Sequence, residues 1–311
     1  MCKKSVIFDK LKKFAMKVAK HLEMRTISTF GRSNFGGKDN LPLERANRLL
    51  YEKIVEGKPF AVIRMGFSEL DLLYDVDANC KYPKYKPQYA FWLKLLDSDE
   101  NIKRYHQLVI DAYRVSDVIA SWYSSRNEAA LIQNYGKDAS ITDARVVEPY
   151  YFSEPWSKAL EGKTVLVVSP FSDVISSQYE KRQLLFSNEV LPQMSLRTLD
   201  SVWYVPGGKD ERFENWFEAL DYLKAEIEEI DFDVALLGCG PFGTPLVEYI
   251  KGMGKQAIYI GGAIQILFGI KGKRWDNNSD ISKLYNENWI YLPDSSIPKN
   301  GKSLDNGCYW K

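Results

Sequence analysis

Gly238, Gly240 and Gly243 stand between a short apolar run, Val234 to Leu237, and a helical pattern from Pro245 to Lys251. A G-x-G-x-x-G turn in that position lets backbone N–H groups meet a phosphate. Gly240, Phe242, Gly243 and Thr244 are the candidate contacts of the turn. A second apolar run, Gln256 to Ile260, completes a strand, turn, helix and strand. Gly261 and Gly262 follow, then Gln265 as a possible hydrogen-bonding group, then a cationic segment with Lys271, Lys273 and Arg274. Arginine holds a phosphate by two parallel N–H bonds, whereas lysine acts as a point charge. A phosphate-bearing ligand is the first expectation. The plain alternatives are a solvated basic loop and a core helix from Gly262 to Phe268 with Ile264, Leu267 and Phe268 inward.

Two further strand ends carry chemistry. Phe60 to Ile63 reads as a buried strand that runs into Arg64-Met-Gly-Phe-Ser-Glu69, with a helical pattern resuming at Leu70. Ligands of open α/β sheets bind at the carboxyl ends of strands. Arg64, Gly66, Ser68 and the helix-opening Glu69 are therefore candidate site residues. The plain reading of Arg64 is a strand-end ion pair. Thr164 to Val168 is a second strong strand and ends in Ser169-Pro-Phe-Ser172-Asp173. Ser169 and Ser172 are candidate anion or hydroxyl contacts at the following helix N-terminus; simple N-capping is the alternative.

The totals narrow the class. The chain has 311 residues, 45% of them hydrophobic, so it can bury a sizeable core. A net charge of +1 argues against nucleic acid as a partner. The four cysteines are scattered and only two histidines occur, which gives no zinc signal and suits a reducing cytosol. No apolar run is long enough to span a bilayer. The second strand of the glycine unit ends without the acid that a dinucleotide ribose requires, and Pro241 removes a donor from the turn, so the NAD reading recedes. Neither a G-x-x-x-x-G-K-[ST] loop nor a G-x-S-x-G elbow is present.

The elements that would position these residues alternate. Helical patterns cover Leu43 to Glu56, Phe91 to Leu96, Ile102 to Ser116, Arg126 to Tyr135, Ile175 to Phe186 and Phe213 to Ile230. Between them lie strands at 60–63, 117–122, 164–168, 199–205, 234–237 and 256–260, with 143–152 mixed in character. This predicts an α/β fold, Rossmann-like, a mostly parallel sheet with helices on both faces. The divisions are 1–41, a basic amphipathic helix and linker; 42–160, a half carrying Arg64 to Glu69; and 161–311, a half carrying the glycine turn and a packed C-terminal segment. Residues 42–311 are expected to form one compact domain. The first 25 residues hold eight Lys/Arg against Asp9 and Glu23, with Ile7, Leu11, Phe14, Val18 and Leu22 on one helical face. Such a helix lies on an anionic membrane surface or docks on the body.

At this point the residues suggest a family. Arg64-Met-Gly-Phe-Ser-Glu69 resembles the R-F-G-D-G-E signature of GT-D-type glycosyltransferases. The segments 163–171, 237–243 and 261–275 resemble proteins of bacterial surface-polysaccharide gene clusters. The resemblance implies a Rossmann-like glycosyltransferase with a nucleotide-sugar donor and a glycan, lipid-linked or protein-linked acceptor. The cysteine pattern gives a cytoplasmic location, and the basic helix of residues 1–25, where it does not dock on the body, adds peripheral contact at the inner face of the membrane. The family's D-x-E motif supplies metal and donor contacts. Its Glu corresponds to Glu69, which would then be a general base or sugar-hydroxyl contact, and Arg64 and Gly66 also match. Its Asp position is Phe67, which cannot ligate a divalent metal such as manganese; Lys271 to Arg274 would then neutralise the diphosphate. The alternative from another class is a non-catalytic nucleotide- or glycan-binding protein of a polysaccharide assembly system.

Overall fold

The computed structural model describes residues 32–78, 89–123, 126–204, 210–297 and 307–311. The basic amphipathic segment 1–25, most of the loop 81–89 and Pro206 to Gly208 lie outside the described residues. Strands β1 (Phe60–Ile63), β2 (Val118–Ser121) and β6 (Val234–Leu237) are buried along their whole length. Continuous apolar strands of this kind need cover on both faces, as parallel sheets have. They join β3 (Ser140–Asp143), β4 (Thr164–Ser169), β5 (Ser195–Asp200) and β7 (Gln256–Tyr259) in one sheet of order β3-β2-β1-β7-β6-β4-β5. Every pairing in that sheet is parallel. The α/β expectation therefore holds.

Alternate residues of the strands feed two cores. Ala61 and Ile63 join one, Phe60 and Val62 the other. The first core is covered by α2 (Phe67–Asp77), α3 (Ala90–Leu96), α4 (Asp99–Val115), α5 (Arg126–Tyr135), α7 (Trp216–Glu228) and α8 (Gly243–Gly252). The second is covered by α1 (Leu43–Glu56), α6 (Ser172–Tyr179), the turns at 144–160 and the segment from Ile260 to Leu292. The chain therefore leaves β1 toward one face and β7, its neighbour, toward the other. Adjacent strands whose following loops diverge open a crevice between them. The same divergence recurs between β7 and β6 and between β6 and β4.

Three boundaries differ from the sequence reading. The strand expected at 199–205 is β5 at Ser195–Asp200, an edge strand with half-exposed residues and no continuous apolar run. The opposite edge, β3, falls just before the stretch read as mixed. The helix expected from Ile175 to Phe186 stops at Tyr179, and a single turn follows at Arg182–Leu185. Near the break, buried Gln178 lies within hydrogen-bonding distance of the carbonyls of Phe268, Gly269 and Asn288.

Candidate functional site

Residue 64 is the first beyond β1, and the register of the strand turns it toward the second face. Its Nη1 donates to Ile260 O at 2.8 Å, so the β1 and β7 ends are tied together. The guanidinium lies over the Trp122 ring, 4.9 Å from its centroid. A carbon placed at the Cβ position of Gly261 would stand 3.2 Å from Arg64 Cζ, and the φ of +67° at Gly261 also favours glycine. No carboxylate among the described residues lies within ion-pair distance of this half-buried arginine. The strand-end ion pair is thus not what holds it. A guanidinium carries five N–H donors, and one of those of Arg64 is used on Ile260 O.

Glu69 stands in the first turn of α2, whose N-cap is Gly66. The Gly66 N–H donates to Glu69 Oε2 at 3.3 Å, and the Tyr105 hydroxyl donates to Oε1. Glu69 is only 5% exposed. Burial pushes it up to about 7, opposed by the hydrogen bonds from Tyr105 and Gly66 and by the Arg64 charge. A carboxyl held near neutrality can take or give a proton under ordinary conditions. Gly66 itself is exposed, and the only atom near its absent side chain is Glu69 Oε2, at 3.7 Å. A methyl at Gly66 would lie against that oxygen. On the other flank of Arg64, Glu148 is buried, accepts from the Tyr150 hydroxyl at 2.6 Å and is likewise raised by burial.

On the β7 side, Gly262 is packed against Tyr309, and its absent side chain would meet Arg274 Nη1 at 3.6 Å. Arg274 lies over the Tyr309 ring at 4.7 Å. Two guanidinium groups therefore stand against consecutive residues, Gly261 and Gly262. The C-terminal residues 308–310 hold this wall: Lys273 N donates to Trp310 O and Arg274 N to Cys308 O, both at 2.9 Å.

No family profile matches the chain, and no curated protein sequence does. Solved structures are similar to it over most of its length. One is described as showing that the highly conserved domain of unknown function 1792 has a distinct glycosyltransferase fold. It is 15% identical, covers 89% of this chain and 96% of its own, and superposes with a TM-score of 0.44. Another, described as a new glycosyltransferase of that domain from Streptococcus sanguinis, is 13% identical, covers 80% and 94%, and has a TM-score of 0.41.

The glycine turn behaves differently from the sequence reading. The Cβ positions of Gly238 and Gly243 are taken by Ile264 and by the Tyr259 ring, at 2.4 and 2.3 Å. Tyr259 also donates to Gly240 O at 2.8 Å. These two glycines admit neighbouring side chains, and only Gly240, with φ +58°, faces open space. Phe242 is a correction: it is 1% exposed and stacks on Trp216 at 4.8 Å, and burying such a ring contributes about 2–3 kcal/mol to the core. Thr244 is another, since its buried hydroxyl donates to Met65 Sδ at 3.3 Å. Ser169 is a third: its buried Oγ accepts from Phe171 N at 3.3 Å.

The remaining residues divide. Ser68 Oγ accepts from Trp92 Nε1 at 3.1 Å. Ser172 faces Asp200 at 3.5 Å, on the β4–β5 side of the edge. Gln265 is fully buried and donates to Tyr309 O at 3.3 Å, behind the Gly261–Gly262 turn. The cationic segment splits. Lys271 lies against the rings of Tyr285 and Tyr291, whose hydroxyls donate to Asp276. Lys273 is exposed, and only Arg274 reaches Gly262.

For a metal, Phe67 offers no ligand atom, and Asp71 accepts from Asn127 Nδ2 at 3.3 Å. Among the described residues no group of three His, Cys, Asp or Glu is placed to hold an ion. These residues do not fit a divalent metal beside Glu69. No described helix is long and apolar enough to cross a membrane. Sequence reasoning missed Tyr105 and Trp122. Tyr105 looks like any core aromatic of an amphipathic helix. Trp122, just past the carboxyl end of β2, carried the one usable signal, its place at a strand end.

Proposed function

We propose that the protein transfers a sugar from a nucleotide-diphosphate-sugar to a glycan, lipid-linked or protein-linked acceptor. The observation that carries this reading is one crevice in which Arg64, tied to the β7 end, stands beside a carboxyl poised near neutrality, Glu69. The donor diphosphate lies across Gly261 and Gly262, gripped by Arg64 and Arg274. The acceptor hydroxyl reaches Glu69 Oε2 past Gly66. Its proton passes to Glu69 as its oxygen bonds to the anomeric carbon, and the bond from that carbon to the diphosphate breaks. The charge that grows on the leaving diphosphate falls on the two guanidinium groups, which strengthens their hold as the reaction proceeds. Tyr105 keeps the other carboxylate oxygen in place. Residues 1–25 supply contact with an anionic membrane surface at its cytoplasmic side, where a lipid-linked acceptor would be met.

The alternative, a nucleotide- or glycan-binding protein without turnover, is favoured by Phe67 in the position where the family resemblance expects a metal-binding aspartate. Incubation with a panel of nucleotide sugars and acceptors, with product analysis by mass spectrometry, separates the two. Glu69→Gln should abolish product while the nucleotide still raises the melting temperature. Wild-type turnover in that variant sinks the transferase assignment. A shift with the nucleotide but no product from any acceptor favours the binding protein.

A further inference from the structure

Large apolar side chains exposed among the described residues are Tyr51, Val55, Phe67, Val115 and Leu184. Of these, Phe67 alone opens a helix directly beyond the carboxyl end of a strand, two residues from Glu69 and three from Arg64. Its side chain is 42% exposed, and its ring lies 5.9 Å from Trp122 at a tilt of 35°. Trp122 is held in orientation, because its Nε1 donates to Met65 O at 3.1 Å. Arg64 rests on the same indole. The result is a short aromatic surface with the Arg64 guanidinium on its indole and its phenyl ring two residues along the chain from Glu69.

We infer that Phe67 and Trp122 form a platform for a pyranose ring of the acceptor, a subsite that rests on the transferase reading above. A pyranose offers weakly positive C–H bonds on a face and hydroxyls around its rim. An aromatic face carries negative charge and attracts the former. The hydroxyls need partners at the edge of the platform, and the Arg64 guanidinium lies against its indole. An exposed phenylalanine adds little to the first turn of a helix, where acids and capping groups are favoured. A nucleobase could also lie on such rings. Position decides against it: the base is the part of a nucleotide sugar farthest from the bond that breaks, whereas this surface adjoins the proton acceptor.

The test is saturation-transfer NMR on the full chain. The probes are the methyl glycosides of glucose, galactose, mannose and N-acetylglucosamine, with UDP in a separate arm. The wild type should saturate the C–H protons along one face of at least one glycoside. Phe67→Ala should lose roughly three- to tenfold of that signal with the UDP signal unchanged, and Phe67→Trp should keep it. A wild type that saturates no glycoside overturns the platform, as does a Phe67→Ala variant that saturates them equally. Loss of the UDP base signal instead gives the surface to a nucleobase and also overturns it. Because the readout is binding, glycoside saturation without sugar transfer from any donor would defeat the transferase reading and leave the platform standing.

Discussion

Replacing Glu69 by glutamine tests the electrostatics of the site before any substrate is known. Burial holds the carboxyl up to about 7 in the folded protein, against 4.5 for an unperturbed glutamate. The folded state therefore binds this proton more tightly than the unfolded chain does. The stability it contributes is complete below about pH 4.5 and is lost as pH rises through about 7. The gap between the two values corresponds to about 3 kcal/mol. Glutamine cannot titrate, so the variant lacks this loss. Melting temperatures of both proteins, measured together from about pH 4.5 to about pH 8 and subtracted at each pH, cancel the other titrating groups. The difference, variant minus wild type, should climb by on the order of 5 °C across that range. A difference that stays flat means Glu69 ionises like a surface carboxylate, and the poised-base argument falls with it.

Gly66→Ala asks whether the base is reached past the exposed Gly66. The backbone there, φ −81° and ψ 152°, suits any residue, and the new methyl meets only Glu69 Oε2 at 3.7 Å. Stability should stay within about 1 kcal/mol, while transfer drops roughly tenfold or more as the oxygen is covered; unchanged turnover would show another route of access. Tyr105→Phe removes a hydrogen bond that favours the carboxylate, so the acid limb of kcat/KM against pH should move to higher pH; movement to lower pH contradicts the assigned role. Gly243→Ala places a carbon 2.3 Å from the Tyr259 ring and should cost about 1–3 kcal/mol in chemical denaturation. Gly240→Ala meets no atom and should cost only the left-handed backbone penalty of about 1–2 kcal/mol, so equal and negligible effects would refute the packing assignment of Gly243.

Where a strand is buried on both faces its residues announce it, and β1, β4, β6 and β7 were legible for that reason. The edge strands β3 and β5 were not, because a half-exposed ladder tolerates Ser, Arg, Thr and Asp and leaves no apolar run. The Arg64-x-Gly-x-x-Glu69 stretch was legible as a site geometry, since a strand end that leads into a helix brings charged side chains to the sheet edge. What Gly238 and Gly243 are for was not. A glycine can clear space for a phosphate or for a neighbour, and the neighbours here, Ile264 and Tyr259, come later in the chain and fold back. Tyr105 was invisible for the same reason: its hydroxyl meets a carboxylate 36 residues away, and helical spacing shows only that its ring faces inward. The sheet order, which puts β7 rather than β6 beside β1, is also not written in any local pattern.

That order has a consequence for how the crevice comes to be built. The bond from Arg64 to Ile260 closes a separation of 196 residues, and Tyr105 reaches Pro241 across 136. Contacts so distant in sequence are made slowly, because the chain must close long loops before they reward it. Strands β1 to β3 can pair as soon as residue 143 has emerged from the ribosome, whereas the β1/β7 crevice waits for residue 259. A nascent or truncated chain that stops short of Tyr259 carries Arg64, Gly66 and Glu69 in full and has no site. Recovery of ligand binding during refolding should therefore lag behind recovery of helix signal, and it would report the last seam of the sheet to close.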